Sequence, residues 1–277
     1  MRFSEWEHRY REIIERFGFS PTREEVSADW LARALSPQGS YPGRRAGRSD
    51  LRDLLDGRDI FVIGRGRGGF PPTLREGRRG DQVVVACDGA TTPCLARGLV
   101  PDLVVTDLDG RLPDEVRANR LGSLLMVHAH GDNLPVLRKW LDRFPGPVVG
   151  SCSARPRGPL LNFGGFTDGD RAVLLAESLG ARSATLVRFD LAHPAEGSGP
   201  AGRLKREKLR VAEEVLREVE ARGRLPVRRY PEVRSPPRSL VSGKPSVGRQ
   251  DHLRNREPPR RASPRARPRR GARIRGR

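Results

Sequence analysis

Asp107 and Asp109 stand two residues apart at the end of VVTDLDG, residues 104–110. In an extended chain, side chains at i and i+2 point the same way with Cα atoms about 6.5 Å apart, so both carboxylates can hold one Mg²⁺ and its waters. A capped turn with solvated carboxylates is the plainer alternative. Other polar clusters accompany the pair. CDGATTPCLARG, 87–98, offers Asp88 at a strand tip and Gly89 for a tight turn, although Asp88 can also cap the helix that follows. HAHGDN, 128–133, supplies His128, His130, Asp132 and Asn133. Two imidazoles and a carboxylate suit zinc in kind, but their spacing matches no standard zinc site. NFGGFTDGDRA, 162–172, is the densest: an amide, two aromatic rings, a Gly-Gly pair, a hydroxyl and two carboxylates, followed at once by a helical pattern. Thr167 or Asp168 can cap that helix, whose free N–H groups face an anion; Asp168 and Asp170 can instead serve a metal; Phe163 or Phe166 can stack on a planar ring.

Two further features bound the chemistry. GRGRGG, 64–69, follows an apolar run, and Gly64 and Gly66 allow backbone N–H groups to approach a phosphate, with Arg65 and Arg67 adding charge. It is no P-loop, since no Lys-Ser/Thr follows, and Pro71 and Pro72 interrupt any helix after it, so a simple turn competes with a phosphate cradle. No GxSxG elbow or convincing Ser-His-Asp set occurs, which argues against acyl transfer. Several carboxylates, N–H cradles and few lysines fit a divalent cation neutralising a polyphosphate, hence a Mg²⁺-dependent nucleotide enzyme.

The elements that must position these groups are legible. Residues 59–64, 81–87, 102–107, 123–130, 146–152 and 183–189 are short, Val-rich, nearly all-apolar runs. Strands buried on both faces read this way, so an α/β fold is expected, with a mostly parallel, Rossmann-like sheet and helices on both faces. The polar clusters fall just after the runs, at the sheet edge where such folds bind ligands. Residues 4–17 and 22–35 read as two helices and 36–49 as a Pro/Gly/Ser connection, giving a helical prefix over 1–50. Residues 202–223 read as one long surface helix with Leu209, Ala212, Leu216 and Val219 on its packed face.

Charge is distributed unevenly. From Pro226 onward there are 17 Arg or Lys against 3 Asp or Glu, which is +14 of the formal +19. Residues 226–277 therefore read as a basic, Arg/Pro-rich, disordered tail that can touch nucleic acid weakly, and 51–225 as the α/β domain. Cys87, Cys94 and Cys152 have no CxxC pair and read as buried small hydrophobes in a reducing compartment. The charged amino terminus and the lack of any run of 18 apolar residues point to a soluble, cytoplasmic protein with no membrane partner. A homodimer is compatible with the sheet edge and prefix.

Taken together, DGA, PDLVVTDLDG, HAHGDN and NFGGFTDGDRA resemble the archaeal 6-hydroxymethyl-7,8-dihydropterin pyrophosphokinase family, itself similar to thiamine pyrophosphokinases. The likeness runs from about residue 4 to 225. It implies a thiamine pyrophosphokinase-like catalytic domain that transfers the β,γ-diphosphate of ATP to a reduced pterin, releasing AMP, in tetrahydromethanopterin biosynthesis. It places the catalytic set on Asp107, Asp109, Asp132 and Asp168, and Mg²⁺ on Asp107, Asp109 and Asp168, with Asp170 joining the metal and water shell. Nucleotide contacts are expected on Gly64, Gly66, Asp88, Gly89, His130, Asn133, Thr167 and Arg171; Asn133 or Asn162 can read the pterin edge, and Phe163 or Phe166 can supply its flat wall. The glycine loop departs from the family's GxGPS-like form. A thiamine or other heterocycle pyrophosphokinase, and a nucleic-acid-binding protein acting through the tail, are the alternatives.

Overall fold

The computed structural model describes residues 3–74, 79–190 and 200–230. Within these residues, seven strands form one sheet: β1 (Asp59–Ile63), β2 (Gln82–Cys87), β3 (Leu103–Thr106), β4 (Leu124–Ala129), β5 (Val148–Cys152), β6 (Ser183–Val187) and β7 (Val227–Arg229), in the order β5-β4-β3-β2-β1-β6-β7. Every neighbouring pair is parallel. All seven carboxyl ends therefore lie on one edge, and the order reverses between β1 and β6, the kind of crevice that binds ligands in open α/β sheets.

Among the described residues, eight α-helices flank the strands: α1 (Phe3–Phe17), α2 (Pro21–Ala34), α3 (Arg48–Leu55), α4 (Thr91–Leu95), α5 (Leu112–Arg120), α6 (Leu134–Trp140), α7 (Asp168–Ser178) and α8 (Pro200–Arg222). The strand side chains alternate between two cores. Ile60, Val62, Val85, Val105 and Met126 meet α1, α3, α7 and α8 on one face. Ile63, Val84, Val104, Val127 and Val148 meet α2, α4, α5 and α6 on the other. A strand with both faces covered has no polar alternate position, which is why these runs read as nearly continuous hydrophobics.

The first two helices form the expected amino-terminal helical prefix and pack on the sheet: α1 buries Trp6 and Ile13 on one face, and α2 buries Ala28 and Leu31 on the other. Two features differ from the sequence reading. The third helix, α3, begins inside the segment read as a connection and buries Leu51 and Leu55, its first turn held by Asp50, which accepts the Gly47 N–H at 2.9 Å. The segment read as tail begins with a strand, because Ala184 donates to the Pro226 carbonyl at 2.9 Å and Tyr230 to the Leu186 carbonyl at 2.8 Å. The rest of that segment, from residue 231, lies outside the described residues. In α8, Val211 and Val215 join Ala212, Leu216 and Val219 on the packed face, while Leu209 is half-buried. Among the described residues, no helix is long and apolar enough to cross a membrane.

Candidate active site

β2 and β3 are parallel neighbours, so the residues leaving their carboxyl ends meet. Asp88, Asp107 and Asp109 bring carboxylate oxygens within 4.8 Å of one another. The two aspartates of the DxD element are not extended, because β3 stops at Thr106 and Leu108 turns the chain with φ 68°. That turn is held by the Leu108 N–H, which donates to Thr106 Oγ1 at 2.8 Å. Asp88 also has a left-handed backbone, φ 45°, a strain that a non-glycine residue tolerates where surrounding contacts enforce it. Those contacts are the Thr106 hydroxyl, at 3.0 Å, and the Gly110 N–H, at 2.9 Å, both on Asp88 Oδ1. A Cβ at Gly110 would sit 2.7 Å from Asp88 Oδ2, so the glycine of DLDG is required for this approach.

Charge is concentrated here. Partial desolvation, then the Asp88 and Asp107 carboxylates beside it, push Asp109 up to about 8, although its outer surface stays exposed. Burial and the charge of Asp107 push Asp168 well above the usual range, against the opposing pull of Arg171. Burial works to raise Asp107 as well, but the hydrogen bond from His130, followed by the charge of Arg171, outweighs it and holds Asp107 low. Beneath them Glu115 is fully buried and shares the Thr106 hydroxyl, 3.0 Å from its Oε2; burial and the charge of Asp88 push it well up. All these donors are carboxylate oxygens, the hard ligand set that Mg²⁺ takes, and their crowded negative charge fits a divalent cation held by Asp88, Asp107 and Asp109.

The surrounding polar residues are mostly scaffolding. Asn133, expected to contact nucleotide or pterin, spends its side chain inside the protein: Nδ2 donates to the carbonyls of Asp107 at 2.8 Å and His128 at 2.7 Å, and Oδ1 accepts the His130 N–H at 3.0 Å. Asn162 likewise donates to Ser153 and Ala154 carbonyls and accepts the Gly164 N–H. Phe163 is 1 % exposed in the core, so it cannot stack on a ligand. Asp170 leaves the metal set because both its oxygens are occupied, accepting the N–H groups of Phe166 and Thr167 at 2.7 Å and the Thr167 hydroxyl; Thr167 and Asp170 together hold the start of α7. Asp132 is exposed and pairs with Arg23 at 3.0 Å. The N–H groups of Gly64 and Gly66 are not free for a phosphate, since they donate to the carbonyls of Val187 and Arg188. The glycines serve that close approach, a Cβ at Gly66 falling 2.4 Å from Arg188 O.

His130 and Arg171 do reach the cluster. The Asp132 N–H donates to His130 Nδ1, so the ring proton lies on Nε2, which faces Asp107 Oδ2 at 3.4 Å. Arg171, nearly buried, donates to Asp168 Oδ1 and to His128 Nε2, each at 3.0 Å. A guanidinium only donates, so His128 Nε2 is an acceptor and the ring is neutral, as burial and then Arg171 also dictate. This removes zinc from the histidine pair: among the described residues, the one cluster able to hold a metal is the aspartate trio. The three cysteines are free and buried, and burial pushes Cys94 and Cys152 up to about 12.

Two cavities flank the trio. One, of about 210 Å³, is walled by Trp6, Tyr10, Phe19 and Phe166 and carries Glu24, Asp107 and Arg171. The other, wider and about 650 Å³, is lined by Arg65, Gly89, Thr92, Asp109, Arg111 and Arg188. Asp107 faces the aromatic cavity and Asp109 the cationic one.

Residues 72–196 match the family model described as "6-hydroxymethylpterin diphosphokinase MptE-like". A 6-hydroxymethyl-7,8-dihydropterin pyrophosphokinase of Methanothermobacter thermautotrophicus is 38 % identical over 245 residues, covering 83 % of this chain and all of the relative. That of Pyrococcus furiosus is 35 % identical over 81 % of this chain and 96 % of its own length. The chain belongs to the 6-hydroxymethyl-7,8-dihydropterin pyrophosphokinase family. A solved structure of a probable thiamine pyrophosphokinase from Staphylococcus saprophyticus is similar at TM-score 0.32 and 13 % identity, over 62 % of this chain and 64 % of that one, too weak a likeness to bear on the site.

In this family member, several residues of the site carry no signal in the sequence. Glu115 lies in the middle of an amphipathic helix, where a glutamate normally faces water. Glu24 sits in the first turn of α2 behind the Ser20 cap, where acids are common for the helix dipole alone. The aromatic positions of α1 read as core, and only the three-dimensional arrangement turns Tyr10 and Phe19 into cavity walls.

Proposed function

We propose that this chain transfers the β,γ-diphosphate of ATP to the hydroxymethyl oxygen of 6-hydroxymethyl-7,8-dihydropterin, with release of AMP. The observation that carries this reading is the division of the DxD pair between two cavities, one aromatic and one cationic. A flat heterocycle suits the first, whose Phe166 ring packs 4.9 Å from Phe17 and forms a wall with Phe19. A triphosphate suits the second, where Arg65, Arg111 and Arg188 converge beside Gly89. The reacting atoms then meet at the carboxylates between them.

The acceptor oxygen attacks the β-phosphorus, the bond from that phosphorus to the α,β-bridging oxygen breaks, and AMP leaves with the electron pair; the hydroxyl proton is released. Asp88, Asp107 and Asp109 would hold a Mg²⁺ ion, which would supply neutralisation of the charge on the triphosphate and the departing AMP. The chain's own groups do the rest. Arg171, fixed by Asp168 and His128, places one buried guanidinium beside the acceptor cavity. His130 fixes the orientation of Asp107, and the aromatic walls keep water from competing with the acceptor.

The test is ³¹P NMR of the protein with MgATP and 6-hydroxymethyl-7,8-dihydropterin, with thiamine in a second tube and no acceptor in a third. AMP together with a new pterin diphosphate is the expected result. Product only with thiamine, or no AMP in any tube from folded protein that binds MgATP, overturns the proposal.

A further inference from the structure

Glu24 is only 5 % exposed, yet among the described residues no arginine or lysine neutralises it. Its neighbour Arg23 pairs with Asp132, and Arg157 with Glu25 and Asp29. Its Oε1 accepts the Gly131 N–H at 2.9 Å and the Ser153 hydroxyl lies close enough to favour the carboxylate, but among the described residues its buried Oε2 completes no hydrogen bond. A buried carboxylate oxygen left so costs free energy, and such a group in a native structure calls for a missing donor. Burial pushes the Glu24 carboxyl up, and that burial with the Glu24 charge pushes up the Tyr10 hydroxyl beside it. Glu24 lines the aromatic cavity with Trp6, Tyr10, Phe19 and Phe166, and Asp107 lines the same cavity.

The cavity thus combines flat walls, a carboxylate short of donors and, elsewhere in its lining, a member of the reacting cluster. A carboxylate is matched best by two parallel N–H groups in one plane, the arrangement that makes arginine pairs bidentate. The pyrimidinone edge of a pterin presents the same pattern, with N3–H beside the exocyclic 2-amino group. We infer that Glu24 is the residue that selects the acceptor, taking the N3–H and 2-amino edge of the pterin ring between the aromatic walls. The assignment rests on the aromatic cavity being the acceptor site. Held by that edge, the bicycle directs its opposite end, which carries the hydroxymethyl group, away from Glu24 and into the part of the cavity that Asp107 lines. The aminopyrimidine of thiamine offers one amino N–H next to a ring-nitrogen lone pair, which would face a carboxylate lone pair, so the same residue rejects it.

Equilibrium fluorescence titrations of the full chain with 6-hydroxymethylpterin and with its 2-oxo analogue 6-hydroxymethyllumazine test this, with MgATP affinity measured alongside. The wild-type chain is expected to prefer the pterin by at least ~10-fold, and Glu24→Gln to lose at least ~10-fold in pterin affinity and most of that preference, with MgATP affinity within about twofold of wild type. Wild-type pterin affinity in Glu24→Gln overturns the inference and leaves the acceptor reading standing. Should the variant fail to fold, equal wild-type affinity for pterin and lumazine overturns it as well. A wild-type chain that binds MgATP but neither pteridine overturns the acceptor reading itself, and this inference with it.

Discussion

Removing the charge of Asp109 has opposite effects on stability and on turnover. Its carboxyl is pushed up to about 8 by its surroundings, so between about pH 4 and pH 8 the metal-free folded chain holds a proton that the unfolded chain has lost. Stability falls with pH across that window and this contribution levels off above it. Asp109→Asn is expected to raise the midpoint of thermal unfolding in EDTA at pH 8 and to shrink the stabilisation that added Mg²⁺ gives, while lowering turnover at least ~100-fold. Melting curves at pH 5 and pH 8 with and without Mg²⁺ check the first part; a variant that melts below wild type in EDTA at pH 8 contradicts the repulsion. Asn133→Ala is expected to behave differently. Its amide joins the carbonyls of Asp107 and His128, so its loss leaves two acceptors unmade and costs about 1–3 kcal/mol of unfolding free energy, read from urea denaturation.

At the scale of elements, α2 tests whether the amino-terminal helices are an appendage or part of the fold. Leu31 is fully buried against β4, β5 and their neighbours, so Leu31→Ala is expected to cost about 2–5 kcal/mol in a single unfolding transition. A detachable prefix would lose almost nothing. The sequence shows where each strand and most helices lie because period and composition follow burial, and six strands fall within one or two residues of their apolar runs. It cannot show which of two like residues takes which task. Asp168 and Asp170 are the same residue type two positions apart at the start of α7, yet the first faces the carboxylate trio and the second is consumed in holding α7. The left-handed turns at Asp88 and Leu108, which make the trio converge, have no glycine to announce them. Glu24 reads as a helix-start acid, since its burial is produced by the Gly131 loop, more than a hundred residues along the chain.

At the scale of the whole molecule, β7 extends the sheet past the start of the segment read as tail. A chain ending at Tyr230 is expected to keep turnover and unfolding free energy close to those of the full chain. Ending it at Gly223 removes the strand that covers β6, and both are expected to drop. The longer truncation product also sheds 15 Arg or Lys and 3 Asp or Glu, so its retention on an anionic resin should elute at clearly lower salt than the full chain. The order of the sheet has a temporal meaning too. Ile60 of β1 pairs with Val83 on one side and with Ala184 on the other. On a ribosome adding about 5–20 residues per second, the first edge can be covered roughly 5–20 s before the second exists. During that interval the central strand is an open template for a neighbouring nascent chain. The carbonyls that fix Gly64 and Gly66 belong to Val187 and Arg188, so the glycine loop waits for the same late arrival, while the strands that bear the aspartate trio are already made.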